Sequence, residues 1–135
     1  MATWNEISSF IKTKFTIQED SGNCLKISLQ TVDLKTQAPT RTQTLFVFRN
    51  ISNTCGEWVQ VVSPIGIIPL DKTEIALTKI NNLTFGGLIK IDDKHYLRES
   101  LLLSAISPQE ILQVINNIVS FADALEDDLC GGDIN

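Results

Sequence analysis

The predicted order of helices and strands constrains the fold of this chain more than any other feature of its sequence. Ser107 followed by Pro108 indicates the start of a long helix, because serine caps a helix and proline suits its first position. Apolar residues then recur in alternating steps of four and three: Ile111, Ile115, Ile118, Ala122, Leu125 and Leu129. This stripe predicts a helix that packs either against its own core or against another subunit.

Two shorter helices are predicted upstream. Thr3 and Glu6 form a capping box, in which each side chain can bond the backbone amide of the other residue, and the helix that follows ends near Phe15. Residues 71–74 carry a second capping signature with acidic side chains that suit the helix dipole, and the glycine pair 86–87 ends that helix. The chain is therefore predicted to have helices near its start, middle and end.

Five runs of residues have the composition or the alternation of β-strands. They are residues 25–30, 44–49, 58–62, 88–92 and 95–103. The polar stretch 36–41 is predicted as a loop, and the apolar but proline-rich stretch 63–69 as a connector. Short connections between the strands favour antiparallel pairing.

The resulting order is α-β-β-β-α-β-β-α, which predicts an α+β fold with an antiparallel sheet and helices packed mainly on one face. A length of 135 residues is typical of one domain. We expect a single domain over residues 1–129, followed by a flexible acidic tail over residues 130–135.

Charge and cysteine content exclude several classes of function. The net charge is −5 and the 11 lysine and arginine residues are scattered, so neither nucleic acid nor an anionic membrane is an expected partner. No run approaches the ~18 apolar residues of a membrane span, and the start of the sequence lacks the pattern of a signal peptide. The three cysteines form no C-x-x-C pair, so we expect free thiols in a cytoplasmic protein.

The sequence offers no constellation of catalytic or metal-binding residues. The only histidine, His95, has no accompanying nucleophile motif, and the cysteines and acidic residues lack the spacing of zinc or calcium sites. We therefore expect a structural role for His95, no enzymatic activity, no metal and no cofactor. Arg98 and Glu99 point to opposite faces of a predicted strand, and Arg98 is a candidate anchor for an anionic ligand in an apolar pocket.

Apolar side chains in the second and third predicted strands exceed what one buried face requires. Three helices can cover one face of the sheet, so the other side chains either pack under loops or contact a second subunit or a client peptide. The isoleucines of the 63–69 connector can likewise either pack into the core or form an exposed apolar surface. The candidate contact residues are Phe46, Phe48, Trp58, Ile65 and Ile67.

The stretch from Trp58 to about Leu129 resembles the YbjN-type domain family, which has cyanobacterial and plastid relatives. The matching residues are 62–69 (VSPIGIIP), Ala76-Leu77, Ile80-Asn81, Gly87, 98–103 (RESLLL), Ala122-Asp123 and Leu125-Glu126. The segment 63–69 is the most specific of them. The order of elements is also that of type III secretion chaperones, to which the family is similar in fold.

The resemblance implies a one-sided antiparallel sheet, a tendency to form homodimers and a non-enzymatic role. Secretion chaperones hold an extended segment of a client polypeptide on apolar patches. We therefore expect a protein-binding domain with a chaperone-like or regulatory role. The alternative is a small-molecule sensor or carrier with an apolar pocket.

Overall fold

The structure, a computed structural model, describes residues 2–32, 39–84 and 86–130. Within these ranges the elements follow the order α-β-β-β-β-α-β-β-α. The helices are α1 (Trp4–Lys14), α2 (Thr73–Asn81) and α3 (Pro108–Cys130). The strands are β1 (Thr16–Asp20), β2 (Cys24–Val32), β3 (Pro39–Ser52), β4 (Gly56–Gly66), β5 (Gly87–Ile91) and β6 (Lys94–Leu102).

The strands form one six-stranded antiparallel sheet with the order β1-β2-β3-β4-β6-β5. The predicted α+β class and antiparallel pairing are confirmed, but the predicted order of elements lacked β1. This strand has a single apolar residue, Ile17, and lies at the edge of the sheet, where it pairs with β2. Backbone pairing with β2, which leaves no pattern in the sequence, holds β1 in place together with the packing of Ile17 against the buried cluster.

The predicted capping residues form caps at two of three sites. Thr3 Oγ1 accepts a hydrogen bond from the Glu6 amide, and Ser107 Oγ accepts one from the Glu110 amide, each at 3.2 Å. The cap predicted at residues 71–74 is not formed, because a short 3-10 turn runs directly into α2.

The last helix packs on the sheet of its own chain. Its apolar stripe lies in the same buried cluster as Val61 and Leu97. The stripe therefore packs against the core of its own chain and not against another subunit, the two possibilities that the sequence left open. The helix also includes Cys130, the first residue of the predicted tail, and Leu129 before it is only 1% exposed. The rest of that tail, residues 131–135, lies outside the described residues.

Two strands are longer than predicted. Residues 39–41 of the predicted loop belong to β3, and residues 36–38 lie outside the described ranges. The strand β4 continues through the first half of the predicted connector and ends at Gly66. The unusual segment 63–69 is therefore half strand and half linker to α2.

Proline explains why β4 changes its pairing in this segment. The ladder between β3 and β4 stops at Val62, two residues before Pro64, which has no amide hydrogen to donate. Side chains replace the ladder there: Gln43 Nε2 donates to the Pro64 carbonyl at 2.9 Å, and Ser63 Oγ donates to the Thr44 carbonyl at 3.0 Å. These bonds keep the central strands together beyond the end of their pairing.

All three helices pack on one face of the sheet, called the covered face below. Its strand residues are Leu25, Ile27, Leu45, Val47, Val59, Val61, Ile65 and Leu97. They form one buried cluster with apolar residues of all three helices, including Trp4, Ile7, Ile11, Ala76, Ile111, Ile115, Ile118 and Ala122. Because successive side chains in a strand alternate between faces, the intervening residues of the same strands lie on the other side.

Candidate functional site

The other side of the sheet, called the open face below, carries apolar side chains that no described helix covers. Strand alternation and register place them there. They are Phe46, Phe48, Trp58, Val62, Pro64, Ile89, Ile91, Tyr96 and Leu102. None of these residues belongs to the buried cluster or packs against it. The sheet therefore has a second apolar surface.

Cross-strand pairing brings these side chains together at the centre of the sheet. Phe46 pairs with Val62, which pairs in turn with Arg98. Towards one end of the same strands, Trp58 pairs with Leu102. Directly opposed residues have Cβ atoms roughly 5 Å apart, so the side chains of β3, β4 and β6 form one continuous surface.

The apolar side chains of the open face shield one another only in part. Val62 is 5% exposed because it lies between neighbours on β3 and β6, whereas Leu102 is 38% exposed. The aromatic side chains Phe46, Phe48 and Trp58 have intermediate exposure. Three of the predicted contact residues therefore share a surface that solvent reaches in the single chain.

The two isoleucines predicted as contact residues do not belong to this surface. Ile65 is fully buried on the covered face, because β4 continues to Gly66 and Ile65 has the same orientation as Val61, four residues before it. Ile67 is 50% exposed, but it follows the end of β4 on the way to α2. Of the five predicted contact residues, only the three aromatic ones lie together.

Polar side chains of the open face bond mainly to one another. Asn50 Nδ2 donates to Gln60 Oε1 at 3.1 Å, and Gln60 Nε2 donates to Ser100 Oγ at 3.0 Å. The indole N–H of Trp58 donates to the Cys55 carbonyl at 2.7 Å. These bonds fix the side chains in place and use one N–H donor each of Asn50, Gln60 and Trp58 within the chain.

The charged side chains of the open face are mainly cationic. In the described strands, register places Lys26, Lys94, Arg98 and Glu19 on this face. The Glu19 carboxylate lies 4.0 Å from Lys26 Nζ, and no described carboxylate lies within 4.0 Å of the Arg98 guanidinium. The described strand residues of this face therefore carry net positive charge, although the whole chain carries −5.

Arg98 and Glu99 lie on opposite faces, as predicted. Arg98 is exposed on the open face, whereas Glu99 Oε2 accepts a hydrogen bond from the Gly86 amide at 2.6 Å on the covered side.

Three cavities of about 450, 290 and 280 Å³ are lined by residues other than Arg98. The largest lies beside the start of α1, where Arg49 is paired with Glu57 at 2.5 Å. Arg98 is thus a surface cation and not the anchor of any of these cavities.

The side chain of His95 is buried and bonds the segment between β4 and α2. Its side chain is 9% exposed, and Nδ1 accepts a hydrogen bond from the Ile68 amide at 3.2 Å. The bond links β6 to the segment between β4 and α2 and occupies the nitrogen lone pair that a general base would need. In the ranges 2–32, 39–84 and 86–130, no three His, Cys, Asp or Glu side chains are grouped so that they could hold a metal ion.

The three cysteines are free thiols with different environments. Burial raises the pKa of the thiols of Cys24 and Cys130, which lowers their reactivity. Cys55 is exposed in the turn between β3 and β4, where hydrogen bonds from Thr54 and then Ser52 lower its pKa. The nearby Glu126 carboxylate raises the pKa of Cys130 in addition to its burial, and Lys72 acts in the opposite direction.

Sequence reasoning missed the part of the open face that lies on β5 and β6. Ile89, Tyr96 and Leu102 belong to strands whose alternation is visible in the sequence. Alternation assigns such residues to one of two faces, but only the register shows which face they share with Phe46. Lys26, across the strand from Phe46, was missed for the same reason.

Comparison of the chain with protein-family models gives no match, and comparison with curated protein sequences gives none either. The resemblance to the YbjN-type family therefore remains an expectation from the sequence. In the part of the chain that the structure describes, none of the helices has the length and apolar character needed to cross a membrane.

Proposed function

We propose that this chain is a cytoplasmic, non-enzymatic protein-binding domain, with a chaperone-like or regulatory role, that contacts its partner through the open face. One observation supports the proposal most strongly: the central strands present a second apolar surface that no described helix covers. Contiguous apolar patches on a protein surface mark interaction sites more often than scattered apolar residues do.

The aromatic residues of the open face are suited to act as anchors. Removing apolar area from water contributes about 25 cal/mol per Å² before the costs of ordering are subtracted. The indole of Trp58 is already oriented by its hydrogen bond to Cys55, so a partner that covers it loses little side-chain entropy. Phe46 and Phe48 are held by two neighbouring strands each, which has the same effect.

Photocrosslinking in cells of the protein's own source tests this proposal. A photoreactive phenylalanine analogue replaces Phe46 in one variant and Gln113, which is exposed on α3, in the control. We expect an adduct with another polypeptide from position 46 and none from position 113. The adduct should weaken when Trp58 is also replaced by alanine. No adduct at position 46, or equal adducts at both positions, would contradict the proposal.

A homodimer is part of the same proposal and would use a different surface. Four aliphatic side chains between residues 67 and 77 are at least half exposed: Ile67 (50%), Leu70 (91%), Ile75 (52%) and Leu77 (54%). We expect sedimentation to give a mass of two chains for the wild type and of one chain for the double variant Leu70→Ser, Leu77→Ser. A wild type that is monomeric at every concentration would contradict the dimer.

The alternative function, a small-molecule carrier, is favoured by one observation, the cavity of about 450 Å³ beside the start of α1. Arg49 and Glu57 line it together with apolar side chains, so a small amphipathic ligand is the kind it would suit. A ligand that binds the native chain raises the melting temperature as its concentration rises. A metabolite screen in which an increase disappears in the Arg49→Gln variant would favour this alternative, and no increase would exclude it.

A further inference from the structure

The strands at the centre of the open face have no free backbone edge. Within the sheet, β3 pairs with β2 and β4, and β4 pairs with β3 and β6. A segment that lies on this face therefore cannot join the ladder and must satisfy its own backbone amides and carbonyls. A helix satisfies them internally, whereas an extended segment depends on the surface beneath it.

Several polar side chains of the open face already have partners within the chain. Asn50, Gln60 and Ser100 are already joined to one another across β3, β4 and β6. The indole N–H of Trp58 is bonded to its own chain. The surface therefore suits an occupant that contributes side chains and brings its backbone already hydrogen-bonded.

Two cations lie on opposite sides of the apolar centre. Lys26, Phe46, Val62 and Arg98 are successive paired residues on β2, β3, β4 and β6. At about 4.8 Å per strand, the backbones at Lys26 and Arg98 are about 14 Å apart. A helix with its side chains is roughly 10–12 Å wide. A helix that lies along the strands over Phe46 and Val62 would thus have one cation beside each of its borders.

We propose that the open face binds an amphipathic α-helix of another protein, with carboxylates on both borders of its apolar stripe. This inference rests on the proposed function and adds the chemistry of the partner. A second copy of the chain fits this face poorly, because a twofold contact places the same surface against itself. Among the charged residues of the described strands on this face, Lys26, Lys94 and Arg98 of each copy would then meet with Glu19 as the one anion.

Three synthetic helical peptides test this inference on the full chain. They share one leucine stripe and carry glutamate, glutamine or lysine at the border positions, and their Kd values are measured by calorimetry at low and high salt. We expect the glutamate peptide to bind about tenfold more tightly than the glutamine peptide, because two ion pairs form at the rim. The lysine peptide should bind most weakly, and salt should reduce the differences.

Arg98→Gln is the test variant, and Lys90→Gln is its matched control. Lys90 is also exposed, but its pairing with His95 places it on the covered side. Arg98→Gln should reduce the preference for glutamate to about threefold and leave the affinity of the glutamine peptide unchanged. Lys90→Gln should leave both affinities unchanged. Thermal unfolding of each variant checks that the fold is retained.

Three outcomes would overturn the inference. The first is equal affinity for the three peptides, and the second is a glutamate preference that Lys90→Gln reduces as much as Arg98→Gln does. The third is a photoadduct at position 46 that consists of two copies of this chain. If no peptide binds while position 46 still crosslinks to another protein, the helical partner is wrong and the proposed function stands. If position 46 gives no adduct at all, the proposed function itself fails.

Discussion

The covered and open faces are built by the same strands and both are apolar, yet they differ in what lies on them. Val61 and Val62 are consecutive residues of β4 and are 0% and 5% exposed. Val61 belongs to the buried cluster that includes helix residues, whereas Val62 lies outside that cluster, between its paired neighbours Phe46 and Arg98. Low exposure alone therefore does not identify a core residue. An apolar side chain stabilises the fold when another element of the chain covers it, and is available to a partner when none does.

The charges follow the same division. Glu99, on the covered side, accepts a hydrogen bond from the Gly86 amide inside the chain. Arg98, its neighbour in β6, extends from the open face with no described carboxylate in contact. Neighbouring residues of one strand therefore serve folding on one side and remain available for binding on the other.

Replacing each of the two tryptophans by alanine should give the largest difference in stability between the two faces. Trp4 is 4% exposed in the helical layer, and its indole N–H donates to the Gly22 carbonyl at 2.7 Å. Trp4→Ala should lower the free energy of unfolding by about 3–5 kcal/mol. Trp58→Ala, on the open face, should lower it by about 1 kcal/mol and weaken the crosslink at position 46. Urea titrations measure both variants, and equal losses would show that Trp58 is also part of the core.

Substitutions at two glycines with similar positive φ values show how much of the destabilisation comes from backbone strain and how much from packing. Gly86 and Gly22 have φ of +94° and +90°, which disfavours any residue with a side chain. A Cβ at position 86 would lie 3.2 Å from Leu97 Cδ1 on the covered face, whereas at position 22 nothing lies within 4 Å. Gly86→Ala should destabilise by about 2–3 kcal/mol and Gly22→Ala by about 1 kcal/mol. Indistinguishable unfolding midpoints would show that the covered face is loosely packed at this point.

Removing an exposed ion pair beside the covered face should have the smallest effect on stability. A hydrogen bond from Lys12 at 2.6 Å, followed by one from the Gly22 amide, holds the pKa of Asp20 below its usual value of 3.8. The stabilisation from a lowered carboxyl pKa is present above pH 3.8 and is lost as the pH falls below it. Asp20→Asn should therefore flatten the pH dependence of stability in that range, measured by thermal unfolding from pH 2 to pH 6. An unchanged profile would show that this pair contributes nothing.

Much of the fold follows from the sequence, because helix caps and alternating strands are local signals. Ser107, Pro108 and the apolar stripe after them suffice to predict α3. The strand β1 could not be predicted, since Ile17 is its one apolar residue and its pairing with β2 is not local. The cap predicted at Asp71 failed because the backbone there forms a 3-10 turn.

The candidate site was harder to predict than the fold, because it depends on register. Val61 and Val62 are both apolar, so the sequence of β4 does not reveal which of them faces the helices. Proline and glycine beside Ile65 predicted a loop, although the strand continues and buries this side chain. Phe46 and Trp58 were predicted from the surplus of apolar residues in their strands, but their common surface with Tyr96 required the pairing of β4 with β6.

The most direct test of the division between the two faces is a pair of nearly isosteric substitutions, Val61→Thr and Val62→Thr. Each places a hydroxyl in an apolar site with little change in shape, and each variant is measured by urea unfolding and by crosslinking from position 46. Val61→Thr should cost about 1–3 kcal/mol of stability, because its hydroxyl is buried without a partner, and should leave the crosslink intact. Val62→Thr should cost less, about 1 kcal/mol, because Val62 lies outside the buried cluster on a face that no described helix covers, and should reduce the crosslink several-fold. The same loss of stability in both variants, with no change in the crosslink from either, would contradict this division.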